Sequence, residues 1–472
     1  MGEKEQERYI VAYEIGSSKI RGAVGIVDAT GVVDVVATEE ERLIDKVRYG
    51  VIENSEVSDA IEAVTERLEN YPRVAPRIIR GGFMGLGGRS VMSTTVDVDL
   101  VLPGETEITR QIINELMQKA MATVDAERDV IDVLPVRFSV DGKNQVNPVG
   151  SYGNVLKAKM TVVSCSQKLK RMLRRVVTDK AHIDILGYVN RTLAEADMVL
   201  ADDERRLGCM FVDFGAETTS VAIFKNGACI YEATLPIGSR NITLDLTRLN
   251  YTEQRAEEIK KVSGNALTSE TAARKSGSAD GVDYSEINNY VHARADEIVA
   301  NIMAQLRYAD VKEDELPKGI IVVGGGARLR GFNDLLAQVS GMPVRQGAPN
   351  ARVRISDGSI HGTEAIDVIA ILLEASRRSA EECTELPDTP AEEPADEEPE
   401  TTTDAAGGDE QYVSRIGKLD DDPDEESEHR RKKEKEKKPK EKKSGSRFGS
   451  LISNLIGRME NMMEEPEEHD DE

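Results

Sequence analysis

The amino-acid sequence predicts a two-lobed α/β protein that carries a long charged tail. Residues 8–379 alternate apolar, strand-like runs with longer amphipathic stretches, which is the pattern of a mixed α/β protein. Two similar strand-turn-strand segments, centred near residues 16 and 215, precede a glycine turn at residues 324–326. After residue 382 the sequence is rich in Pro, Glu, Thr and Asp and lacks the apolar area that offsets chain entropy. We therefore expect a folded core followed by a disordered linker.

The spacing of apolar residues predicts the elements of this core. Short apolar runs between glycine or polar turn residues predict strands at residues 9–13, 20–27, 209–212, 220–224 and 320–323. Apolar residues that recur every three or four positions predict helices at residues 58–69, 107–122, 168–179, 252–262 and 284–308. Cys165, Cys209 and Cys229 lie in apolar runs without metal-ligand spacing, so we expect buried, reduced thiols of a cytoplasmic protein and no cysteine-bound metal.

The net charge of −25 is unevenly distributed. Residues 380–428 carry −18, residues 429–447 carry +8 and residues 448–472 carry −7, which leaves an ordinary −8 on the core. Because a nucleic-acid binder needs clustered positive charge on its folded surface, we expect no nucleic-acid partner. The first residues lack the pattern of a secretory signal, and no window reaches the ~20 apolar residues of a membrane span.

Three glycine turns carry residues suited to binding phosphate. VAYEIGSSKIRGAVG and MFVDFGAETTSVAIF each end a strand with an acidic residue and then turn at a glycine. Small residues let backbone N–H groups approach a phosphate, and hydroxyls and a lysine add donors. GIIVVGGGARLRG places three glycines between a buried strand and a predicted helix. The predicted phosphate-binding residues are Gly16, Ser17, Ser18, Lys19, Asp213, Gly215, Thr218 and Thr219.

Each turn by itself has an ordinary structural interpretation, because hairpin turns and tight glycine connections are common. Two matching hairpins followed by a glycine platform are much less expected by chance. Together they favour a nucleotide held between two lobes.

The three turns resemble the phosphate and adenosine motifs of the actin, sugar kinase and heat-shock chaperone ATPase superfamily. Within it, residues 9–379 are similar to the FtsA family of bacterial cell-division proteins, and ERDVIDVLPVRFSVDG with the following NPVG resembles the subdomain inserted in that family. The resemblance implies a two-lobed actin-like α/β fold with an inserted small α+β subdomain, then a disordered tail with a C-terminal amphipathic helix. The implied parts are residues 8–82 (first part of lobe 1), 83–160 (inserted subdomain), 161–382 (remaining core with lobe 2), 383–429 (acidic linker), 430–446 (polybasic segment), 447–463 (membrane-targeting helix) and 464–472 (acidic tail).

The resemblance also implies ATP and Mg²⁺ as cofactors. It implies that Glu14 and Asp213 hold Mg²⁺ through water molecules. The residues implied for adenosine are Glu257, Lys260, Gly324, Gly325 and Gly326. The alternative interpretation of Glu257 and Lys260 is an i,i+3 ion pair on a surface helix.

Several residues depart from the usual pattern of the family. Glu14 replaces an aspartate, and Ala216, Glu217 and Ser220 replace two glycines and an aspartate of the second hairpin. A carboxylate at Glu217 would repel a phosphate unless it points outward. Arg191 stands where relatives have a glutamate that polarises the attacking water, and an arginine cannot fill that role. We therefore expect ATP to be bound, at least marginally, and hydrolysed slowly or not at all.

The tail sequence predicts a membrane-binding helix. Residues 447–463 place apolar residues on one helical face and polar residues on the other. The apolar face needs an external partner to cover it. A protein groove is the alternative, but the preceding Lys and Arg residues favour anionic lipids. The acidic block upstream is expected to be a spacer; alternatively it competes with lipid for the basic segment. The predicted membrane-contacting residues are Phe448, Leu451, Ile452, Leu455, Ile456, Met459, Met463, Lys442, Lys443 and Arg447.

By resemblance, this protein would tether the tubulin-like FtsZ filament to the cytoplasmic face of the inner membrane at the division site. It would self-associate into dimers or actin-like filaments and recruit later membrane proteins of the divisome. A sugar kinase or other phosphotransferase is the alternative, but it would need a carboxylate base where Arg191 stands. A rod-shape or pilus-type relative would lack the inserted subdomain.

Overall fold

The structure is a computed structural model and describes residues 7–28, 30–43, 47–52, 56–267, 284–349, 353–356 and 364–387. The predicted polybasic segment, membrane helix and acidic tail, and the linker from residue 388 onward, lie outside the described residues. Within the described part of the chain, no helix is both long enough and apolar enough to cross a membrane.

The strands are β1 (Arg8–Ile15), β2 (Lys19–Val27), β3 (Val33–Arg42), β4 (Val47–Arg48), β5 (Val51–Ile52), β6 (Ile78–Ile79), β7 (Gly81–Leu86), β8 (Met92–Glu107), β9 (Arg128–Val140), β10 (Lys143–Gln145), β11 (Tyr152–Ser166), β12 (Asp184–Asn190), β13 (Cys209–Phe214), β14 (Thr219–Lys225), β15 (Ala228–Leu235), β16 (Ile320–Val323), β17 (Val344–Gln346), β18 (Val353–Ile355) and β19 (Thr384–Glu385). The five strands predicted from apolar runs coincide with β1, β2, β13, β14 and β16 to within a few residues.

The helices are α1 (Val57–Glu69), α2 (Arg110–Met121), α3 (Gln167–Arg174), α4 (Arg191–Val199), α5 (Asp202–Leu207), α6 (Ser239–Leu246), α7 (Glu253–Ser263), α8 (Tyr284–Tyr308), α9 (Phe332–Ser340) and α10 (Ile366–Arg378). The helix predicted at residues 107–122 begins later, because β8 continues to Glu107 and Thr109 caps the helix by accepting from the Ile112 N–H. The helix predicted at residues 168–179 consists of α3 and a π-helical continuation, Arg175–Lys180.

The first sheet has the strand order β12-β7-β1-β2-β3-β18. β1 pairs antiparallel with β2 and parallel with β7, and β7 pairs parallel with β12. Both faces are covered, because α1 packs on β2 and β3 while α10 packs on β1 and β2. This double burial explains the continuous apolar run of β1, in which all residues between Arg8 and Ile15 are buried.

The second sheet places the β13–β14 hairpin beside β16 and β17, which run parallel to β13. One face of β13, β14 and β16 shares an apolar cluster with the helices α6, α7, α8 and α9. The opposite face of the same strands, with Phe211, Ala222 and Ile321, belongs to the main cluster of the first sheet. The rings of Phe214 and Phe332 stack in the cluster beneath these helices with centroids 4.4 Å apart. The first sheet and the β15-β14-β13-β16-β17 part of the second sheet, with their helices, form the two predicted lobes. The second sheet continues from β15 into β8 and the other strands of the insert.

An inserted domain separates the two halves of lobe 1. The long strands β8, β9 and β11 pair antiparallel, and α2 packs on them around Leu116, Phe138 and Leu156. The insert was predicted to begin at residue 83, but β7 pairs with β1 through Phe83 and Met84. Residues up to Leu86 therefore belong to the first sheet, and the insert begins after it.

The C-terminal end of the described core also differs from the prediction, which began the disordered linker at residue 383. Cys383 is buried, its N–H donates to the Tyr9 carbonyl at 3.0 Å, and its own carbonyl accepts from the Arg80 N–H at 3.0 Å. β19 then pairs antiparallel with β6. All four cysteines are buried and outside any disulfide bond, as predicted for the first three.

Candidate functional site

Two hairpins of the same construction face the space between the sheets. In the β1–β2 turn the Gly16 N–H donates to the Lys19 carbonyl at 3.0 Å. In the β13–β14 turn the Gly215 N–H donates to the Thr218 carbonyl at 2.9 Å. Each strand carries an acidic residue two positions before its glycine: Glu14 in β1 and Asp213 in β13. The structure thus confirms that the two turns are matching hairpins.

The carboxyl ends of parallel strands bring the remaining groups to the same place. β1, β7 and β12 run parallel, so Glu14, Gly87 and Arg191 follow one another along one edge of the first sheet. A Cβ on Gly87 would lie 3.1 Å from the guanidinium carbon of Arg191, so the glycine leaves room for this side chain. Ligand sites of open α/β sheets lie at such carboxyl ends.

Arg191 joins the two lobes through their acidic residues. Its Nη1 donates to Glu14 Oε1 at 2.7 Å and its Nη2 donates to Asp213 Oδ2 at 2.7 Å. Its Nε lies 3.5 Å from Glu195 Oε1, one helical turn along α4. All four side chains are nearly inaccessible, with relative exposures of 11% for Arg191, 5% for Glu14, 8% for Asp213 and 2% for Glu195. We call these four residues the arginine cluster.

Three carboxyl groups around one guanidinium leave the arginine cluster with excess negative charge. Burial raises the pKa of Glu14 to about 7, although Arg191 opposes the shift. Burial, and then the charge of Asp213, raises the pKa of Glu195 well above its usual value. Burial alone would lower the pKa of Arg191, but Asp213, Glu195 and Glu14 raise it well above its usual value. These shifts keep Arg191 charged and let Glu195 hold its proton to a higher pH than an ordinary glutamate does.

The arrangement does not fit the Mg²⁺ site that the sequence implied. Mg²⁺ requires near-octahedral oxygen ligands and keeps several waters, whereas a second cation, the Arg191 guanidinium, already lies between Glu14 and Asp213. Among the described residues, no group of three or more His, Cys, Asp or Glu side chains is arranged to hold a metal ion. The implied role of Glu14 and Asp213 as water-mediated metal ligands is therefore not supported.

Glu217 is buried and does not point outward to solvent. Its Oε2 accepts from the Tyr49 N–H at 2.8 Å, its Oε1 accepts from Arg240 Nη1 at 2.8 Å, and Arg48 Nε lies 3.6 Å away. Because Arg48 and Tyr49 belong to lobe 1 and Glu217 to lobe 2, this carboxylate is a second tie between the lobes.

The remaining predicted phosphate ligands divide into two groups. Lys19 is the first residue of β2 and forms an ion pair with Glu40 of the neighbouring strand. The buried Thr219 hydroxyl donates to the Ile237 carbonyl at 2.7 Å. Both donors are therefore engaged within the protein. The Gly16 and Gly215 N–H groups donate within their own turns, and Thr218 is buried. Of the predicted phosphate ligands, the half-buried Ser17 and the exposed Ser18 are left to face a ligand.

The glycine platform after β16 meets the second hairpin. Gly324 has φ +92°, and a Cβ there would lie 2.5 Å from Asp213 Oδ1, so no larger residue fits. Gly326 packs on the ring of Phe214, whereas Gly325 is exposed and a Cβ on it would meet nothing within 4 Å. The platform thus has a closed side towards Asp213 and an open side at Gly325.

Glu257 and Lys260 form the i,i+3 ion pair at 2.7 Å that was one of the two interpretations. Lys260 is buried, however, and its Nζ donates to the Ser239 carbonyl at 3.0 Å and to Thr243 Oγ1 at 2.9 Å. Burial raises the pKa of Glu257, but Lys260 and Thr243 more than offset this and hold it below its usual value. The pair joins α6 to α7, and its role towards adenosine stays a prediction.

Sequence reasoning missed three members of the site. Glu195 was overlooked, although its i,i+4 spacing from Arg191 is a helical pairing signal. Arg21 and Asp367 form a half-buried ion pair beside Glu14 and influence its pKa, but they come from distant parts of the chain. No local pattern could have paired them.

Comparison with known proteins identifies the family. The model of the cell division protein FtsA matches residues 210–366, and the model of the SHS2 domain inserted in FtsA matches residues 88–164. The cell division protein FtsA of Porphyromonas gingivalis is 30% identical over 344 residues, which cover 70% of each chain. The chain belongs to the FtsA family.

Other members of the FtsA family show a similar likeness. FtsA of Pseudomonas aeruginosa is 29% identical over 374 residues, covering 76% of this chain and 87% of that protein. FtsA of Escherichia coli K12 is 25% identical over 366 residues, covering 72% of this chain and 84% of that protein. Among solved structures, a chain of the PilM-PilN type IV pilus biogenesis complex shares the fold, with a TM-score of 0.58 at 15% identity over 78% of this chain and 98% of that chain. The fold is therefore actin-like, with the inserted SHS2 domain of the FtsA family.

Proposed function

We propose that this chain attaches a filament of the tubulin-like protein FtsZ to the cytoplasmic face of the inner membrane at the division site. The observation that carries the proposal is its membership of the FtsA family, whose members are cell-division proteins. In this role the chain recruits later septal membrane proteins. It also self-associates, because several weak membrane anchors in one assembly bind far more tightly than one.

The sequence of the tail supports the membrane part of the proposal. Residues 447–463 contain eight apolar residues at helical spacing, and residues 429–447 carry a net charge of +8. An amphipathic segment of this kind buries its apolar face in the interface, and each nearby Lys or Arg adds about 1 kcal/mol on an anionic leaflet.

We also propose that the cleft between the lobes binds ATP and hydrolyses it slowly or not at all. Hydrolysis needs a group that positions and deprotonates water. The carboxylates of Glu14 and Asp213 both accept from Arg191, which leaves neither free for that task. The same pairing disfavours the sugar-kinase alternative, which needs a carboxylate base. Steady phosphate release that Asp213→Ala abolishes would contradict this part of the proposal.

Sedimentation with anionic liposomes and purified FtsZ tests the tether. We expect the full chain to carry FtsZ into the vesicle pellet and a truncation after Ser446 to leave it in the supernatant. Two single substitutions form a matched pair: Ile452→Glu adds a charge to the apolar face, and Ser453→Glu adds the same charge to the polar face. Ile452→Glu should abolish sedimentation and Ser453→Glu should largely preserve it. A full chain that binds vesicles but leaves FtsZ behind would disprove the tether.

A further inference from the structure

We propose that Arg191 is a built-in cation that replaces the divalent metal of this cleft, so that nucleotide binding here is independent of Mg²⁺. The inference deepens the nucleotide part of the proposed function and rests on it, whereas the membrane part is independent of it. It concerns the four residues of the arginine cluster, Glu14, Arg191, Glu195 and Asp213.

The first observation that supports this proposal is the position of the Arg191 guanidinium. Its two terminal nitrogens lie 2.7 Å from one oxygen of Glu14 and one oxygen of Asp213, so it spans the gap between the two hairpins. A hydrated cation in the same gap would have to share it with a positive charge that is only 11% exposed and has little room to swing away. Arginine keeps its charge in proteins, so the conflict cannot be relieved by deprotonation.

The second step is that the surroundings are built for this arginine. Gly87 packs against the guanidinium, and any side chain there would come within 3.1 Å of it. Asn190 caps α4 by accepting from the Leu193 N–H at 3.2 Å, which fixes the backbone from which Arg191 projects. The missing side chain at Gly87 would not be needed if the arginine only covered the cleft from outside.

The third step is that the lobes are tied without a ligand. Arg191 joins Glu14 of lobe 1 to Asp213 of lobe 2, and Glu217 joins the second hairpin to the Tyr49 N–H of lobe 1. Internal charges therefore already do what a bridging metal ion would do, namely hold the two hairpins at a fixed separation.

The first experiment uses the full wild-type chain and a fluorescent ATP analogue, titrated once in Mg²⁺ and once in EDTA. We expect dissociation constants that agree within about threefold, since the cation of the site is covalently part of the chain. Equal affinities support the proposal, whereas no binding in either buffer would overturn the nucleotide-binding function and this inference with it. An affinity that Mg²⁺ strengthens by about tenfold or more would overturn it.

The second experiment removes the guanidinium and asks whether a metal site appears. In Arg191→Ser the carboxyl groups of Glu14 and Asp213 lose the cation that bridges them, and the cluster gains a space for water. We expect saturating Mg²⁺ without nucleotide to raise the melting temperature of this variant by roughly 3–8 °C and that of the wild type by no measurable amount. Metal bound by the acidic tail is common to both proteins and cancels in the comparison.

Arg378→Ala is the matched control. Arg378 is as buried as Arg191 and also contacts two carboxylates, Glu374 at 2.7 Å and Asp132 at 3.4 Å, but it lies outside the cleft. Stabilisation by Mg²⁺ in Arg191→Ser alone supports the proposal. Equal stabilisation of both variants, or a stabilisation of the wild type as large as that of Arg191→Ser, would overturn it. If Arg191→Ser does not fold, the wild-type titration still decides.

Discussion

At the scale of single residues, Arg191 places a positive charge on the first position of a helix, where the helix dipole disfavours cations. The charge persists there because Glu14 and Asp213 accept from the guanidinium in a setting with little water. Such buried pairs are costly to break, since removal of one partner leaves an uncompensated charge worth about 3–5 kcal/mol. The residue that departs most from the family pattern is thus also the one on which the two hairpins converge.

The protonation of Glu195 gives a prediction at this scale. Its pKa is raised well above the ordinary 4.5 in the folded protein, chiefly by burial and then by Asp213. A raised carboxyl pKa stabilises the folded state only while the proton is bound, so this contribution is lost as pH rises from about 4.5 towards the folded pKa. Glu195→Gln cannot ionise and escapes this loss. We therefore expect its thermal stability to equal that of the wild type near pH 5 and to exceed it near pH 8.

Melting temperatures of both proteins across this pH range provide the measurement. Glu62→Gln, an exposed change on α1, controls for the loss of a surface charge. If Glu195→Gln became less stable than the wild type at alkaline pH, Glu195 would be an ionised partner of Arg191 and our assignment would be wrong.

At the scale of elements, the end of the core is decided by backbone pairing. Residues after α10 look like the beginning of a linker because they are acidic and lack periodicity. Cys383 and Thr384 are nevertheless buried, and the Cys383 backbone bonds to both Tyr9 and Arg80. The Tyr9 carbonyl of β1 and the Arg80 N–H between β6 and β7 thereby gain hydrogen-bond partners. A tail without a fixed position could not supply them.

Two truncations test this ending. A chain that stops after Pro387 keeps β19 and should melt at the same temperature as the full chain. A chain that stops after Glu382 loses the buried Cys383 and its backbone bonds, and we expect a loss of about 2–4 kcal/mol. Denaturant unfolding followed by circular dichroism compares them. Equal stability of the two truncations would show that residues 383–387 contribute nothing to the core.

At the scale of the whole molecule, the charge is distributed by segment. The core carries −8 of the total −25, while the block at residues 380–428 carries −18 and the block at residues 429–447 carries +8. Opposite charges in one chain attract over about a Debye length, some 8–10 Å at physiological salt. The acidic block is therefore either a solvated spacer or a competitor of lipid for the basic block.

Deletion of residues 392–428 distinguishes the spacer role of the acidic block from the competitor role. We expect vesicle binding to stay unchanged at physiological salt, because screening weakens contacts between solvated segments. The control replaces these residues with a Gly- and Ser-rich linker of equal length, which keeps the reach and removes the charge. Stronger binding of both variants to anionic liposomes would establish the competitor role.

Local patterns account for what could be predicted. The matching hairpins, the five predicted strands and the ion pair of Glu257 with Lys260 follow from glycine positions and from apolar or i,i+3 spacing. All of these are short-range properties of the chain. The start of the insert and the end of the core were misplaced, because Phe83 and Thr384 are assigned to sheets by partners that lie elsewhere in the sequence.

The sequence by itself determined the two-lobed α/β core, the presence of a glycine-lined cleft and the segmental charge of the tail. It showed that Arg191 replaces a glutamate of the family, but it did not show what the arginine contacts. Only the tertiary structure decided this, because Arg191 lies 177 positions from Glu14 and 22 from Asp213. Parallel strand order and the packing of one sheet against the other bring such residues together, and neither is encoded in any short stretch of sequence.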